Sequence, residues 1–354
     1  MGFDQAGDSL MFSWRHVALV IVLGALLGCA TPEIPKAHND PEKYTVAEDV
    51  LWGSPDGFDL TMDIYTPTSG QTSYPVLMIF HGGGWLINDK SIMDQMAQYI
   101  VTNGDYVVCN VDYRLLGDQD NSVTLDQIVS DVFGAVVWAK ENIGKYQGDS
   151  ERFAVTGDSA GAHLSAAVVN LGRRLSSADY APENLAFKPS YLPLGMSAED
   201  VAQSHGLDVQ AAILSYGAFD ISSPGAGNFE TWKNPFWYMG GALPRGIFGD
   251  TYTVQTHPEL YQGVSPIHNI PTSAVRNLPP QLLTVGSEDP LTTPQLVQEY
   301  LRKLEGAGHN AEYWEHQGRS HAFLDSGDDF AENAPPALDV MLTFLDSVFY
   351  PPVQ

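Results

Sequence analysis

Cysteine is nearly missing from this 354-residue chain. Two residues, Cys29 and Cys109, cannot build a disulfide framework, so a packed core has to hold the fold. Basic side chains are also scarce: 17 Lys and Arg stand against 43 Asp and Glu, a formal net charge of −26. A surface of that sign repels a phosphate backbone, which excludes nucleic acid as a partner. No metal-ligand spacing, internal repeat or low-complexity tract stands out, and no cofactor is indicated. Hydrophobic content of 44% is ordinary and sufficient for a large core.

Long apolar runs are missing as well. Val17 to Leu27, behind Arg15 and His16, falls short of the roughly 20 residues that span a bilayer and suits the apolar segment of a secretory signal. It ends Leu26-Leu27-Gly28-Cys29-Ala30, which resembles a bacterial lipoprotein signal in which Cys29 becomes the lipidated first residue. The acidic stretch before Met11 is unlike a signal start, which leaves Met1 and Met11 both open as the initiator. The expected organisation is a signal over 1–28, a proline-bearing tether over 29–43 and one catalytic domain over 44–354. A lipid-anchored envelope protein follows, with Ala30 in place of aspartate pointing to the outer membrane. A secreted or periplasmic protein is the alternative. Nothing in the sequence sets the oligomeric state.

The richest stretch is Arg152-Phe153-Ala154-Val155-Thr156-Gly157-Asp158-Ser159-Ala160-Gly161. A β-branched and aromatic run enters a Gly-x-Ser-x-Gly turn, and small residues leave it as a helix. Such a turn strains the backbone at its centre and brings strand and helix too close for side chains at the two glycines. It lifts Ser159 Oγ clear of the sheet, as a nucleophile requires. Upstream, the apolar run Pro75–Phe80 enters His81-Gly82-Gly83-Gly84-Trp85. Bare glycine amides fixed in a cavity suit a developing oxyanion. Gly82 and Gly83, with Ala160, are the expected donors. No Gly-Lys-Ser/Thr follows, as a phosphate loop would need. His81 reads as a structural hydrogen-bonder, Trp85 as a pocket wall, and Asp112 with Arg114 as a brace for the glycine loop.

Strand and helix patterns alternate, so an α/β fold with a largely parallel sheet and helices on both faces is expected. Tyr44–Trp52 and Leu60–Tyr65 mix polar with apolar residues like edge strands. A carboxylate is expected at the end of the strand Pro280–Gly286, where Glu288 and Asp289 both stand. Three histidines follow. His309 precedes a strand, His316 ends it, and His321 lies in the loop beyond, from which an imidazole can reach Ser159. His163 reads as a packed helix residue. Segments 172–208 and 222–276 leave the sheet and are the expected cap, in which Trp237 is the expected pocket aromatic.

His81-Gly82-Gly83-Gly84-Trp85, Asp112-Tyr113-Arg114-Leu115 and Gly157-Asp158-Ser159-Ala160-Gly161 together resemble the hormone-sensitive-lipase-like branch of α/β hydrolases, home to many bacterial carboxylesterases. The resemblance runs from Tyr44 to the C-terminus. Gly161-Ala162-His163-Leu164 is also similar to the neighbouring acetyl esterase, feruloyl esterase and kynurenine formamidase group. These resemblances imply an α/β-hydrolase fold, no cofactor, and hydrolysis of short-acyl esters by Ser159, Asp289 and His321. Asp289 precedes Pro-Leu as the family's acid does, and His321-Ala322-Phe323 is similar to the family's His-Gly-Phe. Two alternatives stay open: an amidase, formamidase or carbohydrate esterase using the same residues, and a catalytically silent binding lipoprotein.

Overall fold

The structure is a computed structural model that describes residues 42–223 and 228–352. The signal, Cys29 and most of the tether lie outside the described residues. No helix among the described residues is long and apolar enough to cross a membrane.

Eight strands form one sheet: β1 (Tyr44–Gly53), β2 (Leu60–Pro67), β3 (Tyr74–Phe80), β4 (Val107–Val111), β5 (Gly148–Asp158), β6 (Ala211–Ser215), β7 (Gln281–Gly286) and β8 (Ala311–His316). Their spatial order is β1-β2-β4-β3-β5-β6-β7-β8. β1 pairs antiparallel with β2, and β2 with β4, while the remaining pairings are parallel. This is the largely parallel α/β sheet the alternation predicts. The exception is β2: it is not an edge strand, because β1 covers its outer side and most of its residues are buried.

Five longer helices cover the sheet: α1 (Asp94–Asn103), α2 (Leu125–Asn142), α3 (Ala160–Leu171), α4 (Pro294–Gly306) and α5 (Pro335–Phe349). Thr124 and Gln127 form a capping box that starts α2 and satisfies two otherwise orphaned donors. α2 packs on α3, and Asn170 of α3 donates to the Tyr300 hydroxyl of α4 at 2.9 Å; α1 and α5 pack together on the other face. With helices on both sides, β3 is buried throughout, which is why its sequence is a continuous apolar run rather than an alternating one. The parallel strands β5 to β8 end at one rim of the sheet, and the loops leaving them converge there.

Candidate active site

Ser159 sits where β5 turns into α3, at φ 50° and ψ −113°, a conformation rare for any residue with a Cβ. The flanking glycines make it possible. A Cβ on Gly161 would stand 1.8 Å from the Phe80 carbonyl oxygen, and one on Gly157 would stand 2.4 Å from the Gly161 backbone. Neither neighbour can yield, because both are backbone of the central sheet and its helix. Gly161→Ala is therefore expected to lower stability by at least about 3 kcal/mol or to abolish soluble expression. Wild-type urea melting of that variant would contradict the tight approach.

The loop after β7 carries Asp289 and the loop after β8 carries His321. His321 Nε2 lies 2.9 Å from Ser159 Oγ, and its Nδ1 lies 2.7 Å from Asp289 Oδ2. Asp289 is buried and fully bonded. Its Oδ1 accepts the amides of Leu291 and Thr292 at 2.8 and 3.0 Å, and its Oδ2 also accepts the Thr292 hydroxyl at 3.0 Å. Burial acts to raise the carboxyl, but the His321 hydrogen bond and charge, with those two amides, outweigh it and hold Asp289 below its ordinary range. Glu288 is exposed and takes no part. His309 and His316 are bonded to the carbonyls of Pro271 and Asn333.

Thr292 and Tyr216 are two supports that no sequence pattern marked. The Thr292 hydroxyl stands 3.3 Å from His321 Nδ1 as well as bonding Asp289. Tyr216, just past β6, packs against the His321 ring with centroids 4.8 Å apart. Its hydroxyl accepts the Leu324 amide at 3.3 Å, which fastens the loop that carries the imidazole.

The glycine loop lies beside this group. Gly83 and Gly84 have φ of 114° and 61°, angles open to glycine at little cost. His81 stacks on Tyr113 with centroids 4.3 Å apart, and its Nδ1 lies 2.8 Å from the Gly82 carbonyl oxygen, so it holds the loop as expected. Burial pushes its pKa down, which keeps the ring neutral. The Gly82 backbone lies against the buried Asp158 carboxylate, where a Cβ would stand 2.3 Å from Oδ2, and Gly82 stays with Gly83 and Ala160 as a candidate oxyanion donor. The amides of Gly83, Gly84 and Ala160 carry no hydrogen bond among the described residues. Arg114 does not pair with Asp112. It forks onto Asp131 of α2 at 2.8 Å from both Nε and Nη2, whereas Asp112 accepts the Lys90 amide at 2.7 Å.

Comparison with known proteins fits this geometry. A family model described as BD-FAE matches residues 62–304. The chain belongs to the BD-FAE family. Esterase LipQ of Mycobacterium tuberculosis is 28% identical over 296 residues, covering 82% of this chain and 60% of its own. Carboxylesterase NlhH of the same species is 31% identical over 139 residues, 39% of this chain and 41% of its own. An arylesterase of Saccharolobus solfataricus is 32% identical over 148 residues, 42% and 44%. The chain thus spans between 41% and 60% of the length of these relatives. The apo form of Thermogutta terrifontis esterase 2 superposes with a TM-score of 0.62 at 20% identity, covering 92% of this chain and all of that one, so the two share the α/β-hydrolase fold. The BD-FAE match contains Ser159 and Asp289. His321 lies beyond it and is tied to them by the hydrogen bonds above.

In this BD-FAE chain a cavity of about 450 Å³ reaches the site through Leu291 and Thr292, while Ser159, Asp289 and His321 themselves are not in its wall. Thr292, the Asp289 partner, and Gly217, next to Tyr216, are in its wall. Trp85, Phe219 and Phe229 give it an aromatic lining. Segment 222–276 contributes Phe229, Glu230 and Tyr261, whereas no residue of 172–208 lines it, so only the second expected cap segment shapes the cavity. Trp237 is fully buried behind the wall, its indole N–H donating to the Phe229 carbonyl at 2.7 Å. It supports Phe229 instead of facing the cavity. His163 is buried with Nε2 2.8 Å from the Val264 carbonyl oxygen, and burial pushes its pKa down to about 4, so it stays neutral.

Proposed function

We propose that the protein is a serine carboxylesterase that hydrolyses short-acyl, uncharged esters through an acyl-enzyme. The observation that carries this reading is the continuous pair of hydrogen bonds from Ser159 Oγ through His321 to Asp289. His321 Nε2 takes the proton as Oγ attacks the ester carbonyl, and Asp289 holds the imidazole tautomer and offsets its positive charge. The amides of Gly82, Gly83 and Ala160 receive the oxyanion. Each such donor is worth on the order of 3 kcal/mol. His321 then protonates the departing alcohol, and water repeats the sequence on the acyl-enzyme. The names of the relatives, carboxylesterase and arylesterase, support the same chemistry.

The cavity sets the substrate. Its walls are largely apolar, and the charged residues lining it are Asp220, Glu230 and Glu299, all acidic. An acyl group ending in a carboxylate would meet like charge, with no cation among the described lining residues to receive it. A succinyl ester is therefore expected to have a kcat/KM about tenfold or more below that of the neutral butyryl ester of the same alcohol. Equal values would remove the charge argument. A p-nitrophenyl series from acetate to palmitate tests the wider reading: turnover of the short members is expected, and turnover of none contradicts it. The aromatic walls favour a second reading, a feruloyl-type acyl group, which methyl ferulate tests directly.

Cys29 is proposed as a lipid anchor holding the domain at the bacterial envelope. Two or three acyl chains, at about 0.8 kcal/mol per buried CH₂, anchor stably where one does not. Cys29→Ser is expected to move the protein from the membrane to the soluble fraction, and an unchanged partition would refute the anchor.

A further inference from the structure

Behind the nucleophile turn lie two carboxyl groups that the hydrolytic steps leave unused. Asp158 directly precedes Ser159 and is 2% exposed. Asp325 lies four residues after His321, on the same loop. The two side chains are in hydrogen-bond contact. Yet Oδ1 of Asp158 and Oδ1 of Asp325 are both buried atoms with no N–H or O–H directed at them. A carboxylate only accepts, so two ionised groups cannot bond one another. A single proton held between the two carboxyls gives the pair a donor and removes a like-charge repulsion in a medium that screens poorly.

The surroundings agree. The groups acting on the pair are His321, Asp329, the hydroxyls of Tyr113 and Tyr216, and the Gly82 backbone; none is a lysine or arginine that would let both carboxyls ionise. Burial pushes Asp158 up to about 7 against the opposing influence of the Gly82 backbone and Asp325. Burial first, and then the charge of Asp158, raises Asp325 further.

The position of the pair is what gives it a role. Asp158 belongs to the nucleophile turn and abuts the glycine loop at Gly82, where a Cβ would stand 2.3 Å from Asp158 Oδ2. Asp325 belongs to the loop that carries the base. We propose that Asp158 and Asp325 share one proton, and that their O–H···O bond is a positioning device fixing the His321 loop and the glycine loop to Ser159. The positioning role rests on the hydrolase reading given above. Neither residue touches substrate, so both act through His321 and Gly82. When the pair gives up its proton, two carboxylates face each other beneath the base and the loops part. The sign for stability is the same. The folded pair keeps a proton that an unfolded aspartate releases near pH 3.9. The contribution is therefore full below that value and is lost as pH rises through the higher folded one.

Asp325→Asn supplies a permanent N–H donor to Asp158 and removes the titrating proton. Its kcat is expected to stay within about threefold of wild type at neutral pH and to lack the alkaline fall of wild-type kcat. Asp325→Ala leaves Asp158 unpaired and is expected to lose on the order of tenfold to a hundredfold in kcat with KM nearly unchanged, the cost of a misplaced base. Superimposable pH profiles for wild type and Asp325→Asn, or equal impairment of the Asn and Ala variants, would overturn the positioning role. Melting temperatures of Ser159→Ala and Ser159→Ala/Asp325→Asn across pH 5 to 10 read the proton without any activity. A fall with pH in the first that is absent in the second supports the shared proton, and parallel curves overturn it. If Asp325→Asn does not fold, Asp158→Asn takes its place in both measurements. Absence of ester turnover by wild type at every pH would sink the hydrolase reading and the positioning role with it, while the melting comparison still decides the shared proton.

Discussion

Ser159→Ala is expected to lower kcat/KM for p-nitrophenyl butyrate by on the order of 10⁴- to 10⁶-fold. The loss is large because the hydroxyl is the atom that forms the acyl-enzyme; without it, His321 has nothing to deprotonate but water. What remains comes from the amides and the cavity, which still bind the substrate and its oxyanion. The fold should hardly notice. Alanine keeps a Cβ at the same φ of 50°, so the backbone strain is unchanged. The single hydrogen bond lost, to His321 Nε2, is worth about 1 kcal/mol. Circular dichroism and thermal melting close to wild type, together with lost turnover, are the expected pair of results. Turnover within tenfold of wild type would remove Ser159 as the nucleophile.

Asp289→Asn is expected to cost on the order of 10⁴-fold in kcat with little change in KM. The Asp289 carboxylate accepts four hydrogen bonds and donates none. An amide can keep the Leu291 and Thr292 contacts with its carbonyl oxygen, but its nitrogen then faces His321 Nδ1 as a donor. The imidazole answers by placing its proton on Nε2, the atom that should receive the Ser159 proton. KM is spared because Asp289 is absent from the cavity wall. Glu288→Gln is the control: that side chain is exposed, and kcat should stay within about twofold. Comparable losses in both variants would leave the identity of the acid open again. The depressed carboxyl also has a stability signature. Its contribution is present above the unfolded value near pH 3.9 and is lost as pH falls through the lower folded value, so wild type should lose stability in acid more steeply than Asp289→Asn.

Much of this site could be read from the chain because backbone geometry writes itself into residue type. Gly157 and Gly161 are required by the contacts their missing side chains would make, and a buried parallel strand demands the unbroken apolar run of Tyr74–Phe80. The order of serine, acid and histidine follows the order of the converging strands. What could not be read depends on where a side chain turns after its element ends. Arg114 reaches α2 and Asp131, because Asp112 is already held by Lys90. The Gly82 backbone abuts Asp158, a carboxylate that in sequence is merely the variable position of Gly-x-Ser-x-Gly. Tyr216 and Thr292 support His321 across 105 and 29 residues of chain, and no local pattern joins them. Trp237 carries the right chemistry for a pocket wall but packs inward, and Phe229, which it supports, faces the cavity.

Activated serines are singled out by fluorophosphonates, which form a stable bond only with a hydroxyl that a neighbouring base can deprotonate. The most direct measurement is therefore peptide mass mapping of wild type after exposure to a fluorophosphonate probe, with His321→Ala and Ser159→Ala in parallel. One adduct per chain on the peptide bearing Ser159, strongly slowed in His321→Ala and absent from Ser159→Ala, is the expected result. An unlabelled wild type, or an adduct that persists in Ser159→Ala, would contradict a nucleophile at residue 159 activated by the imidazole at residue 321.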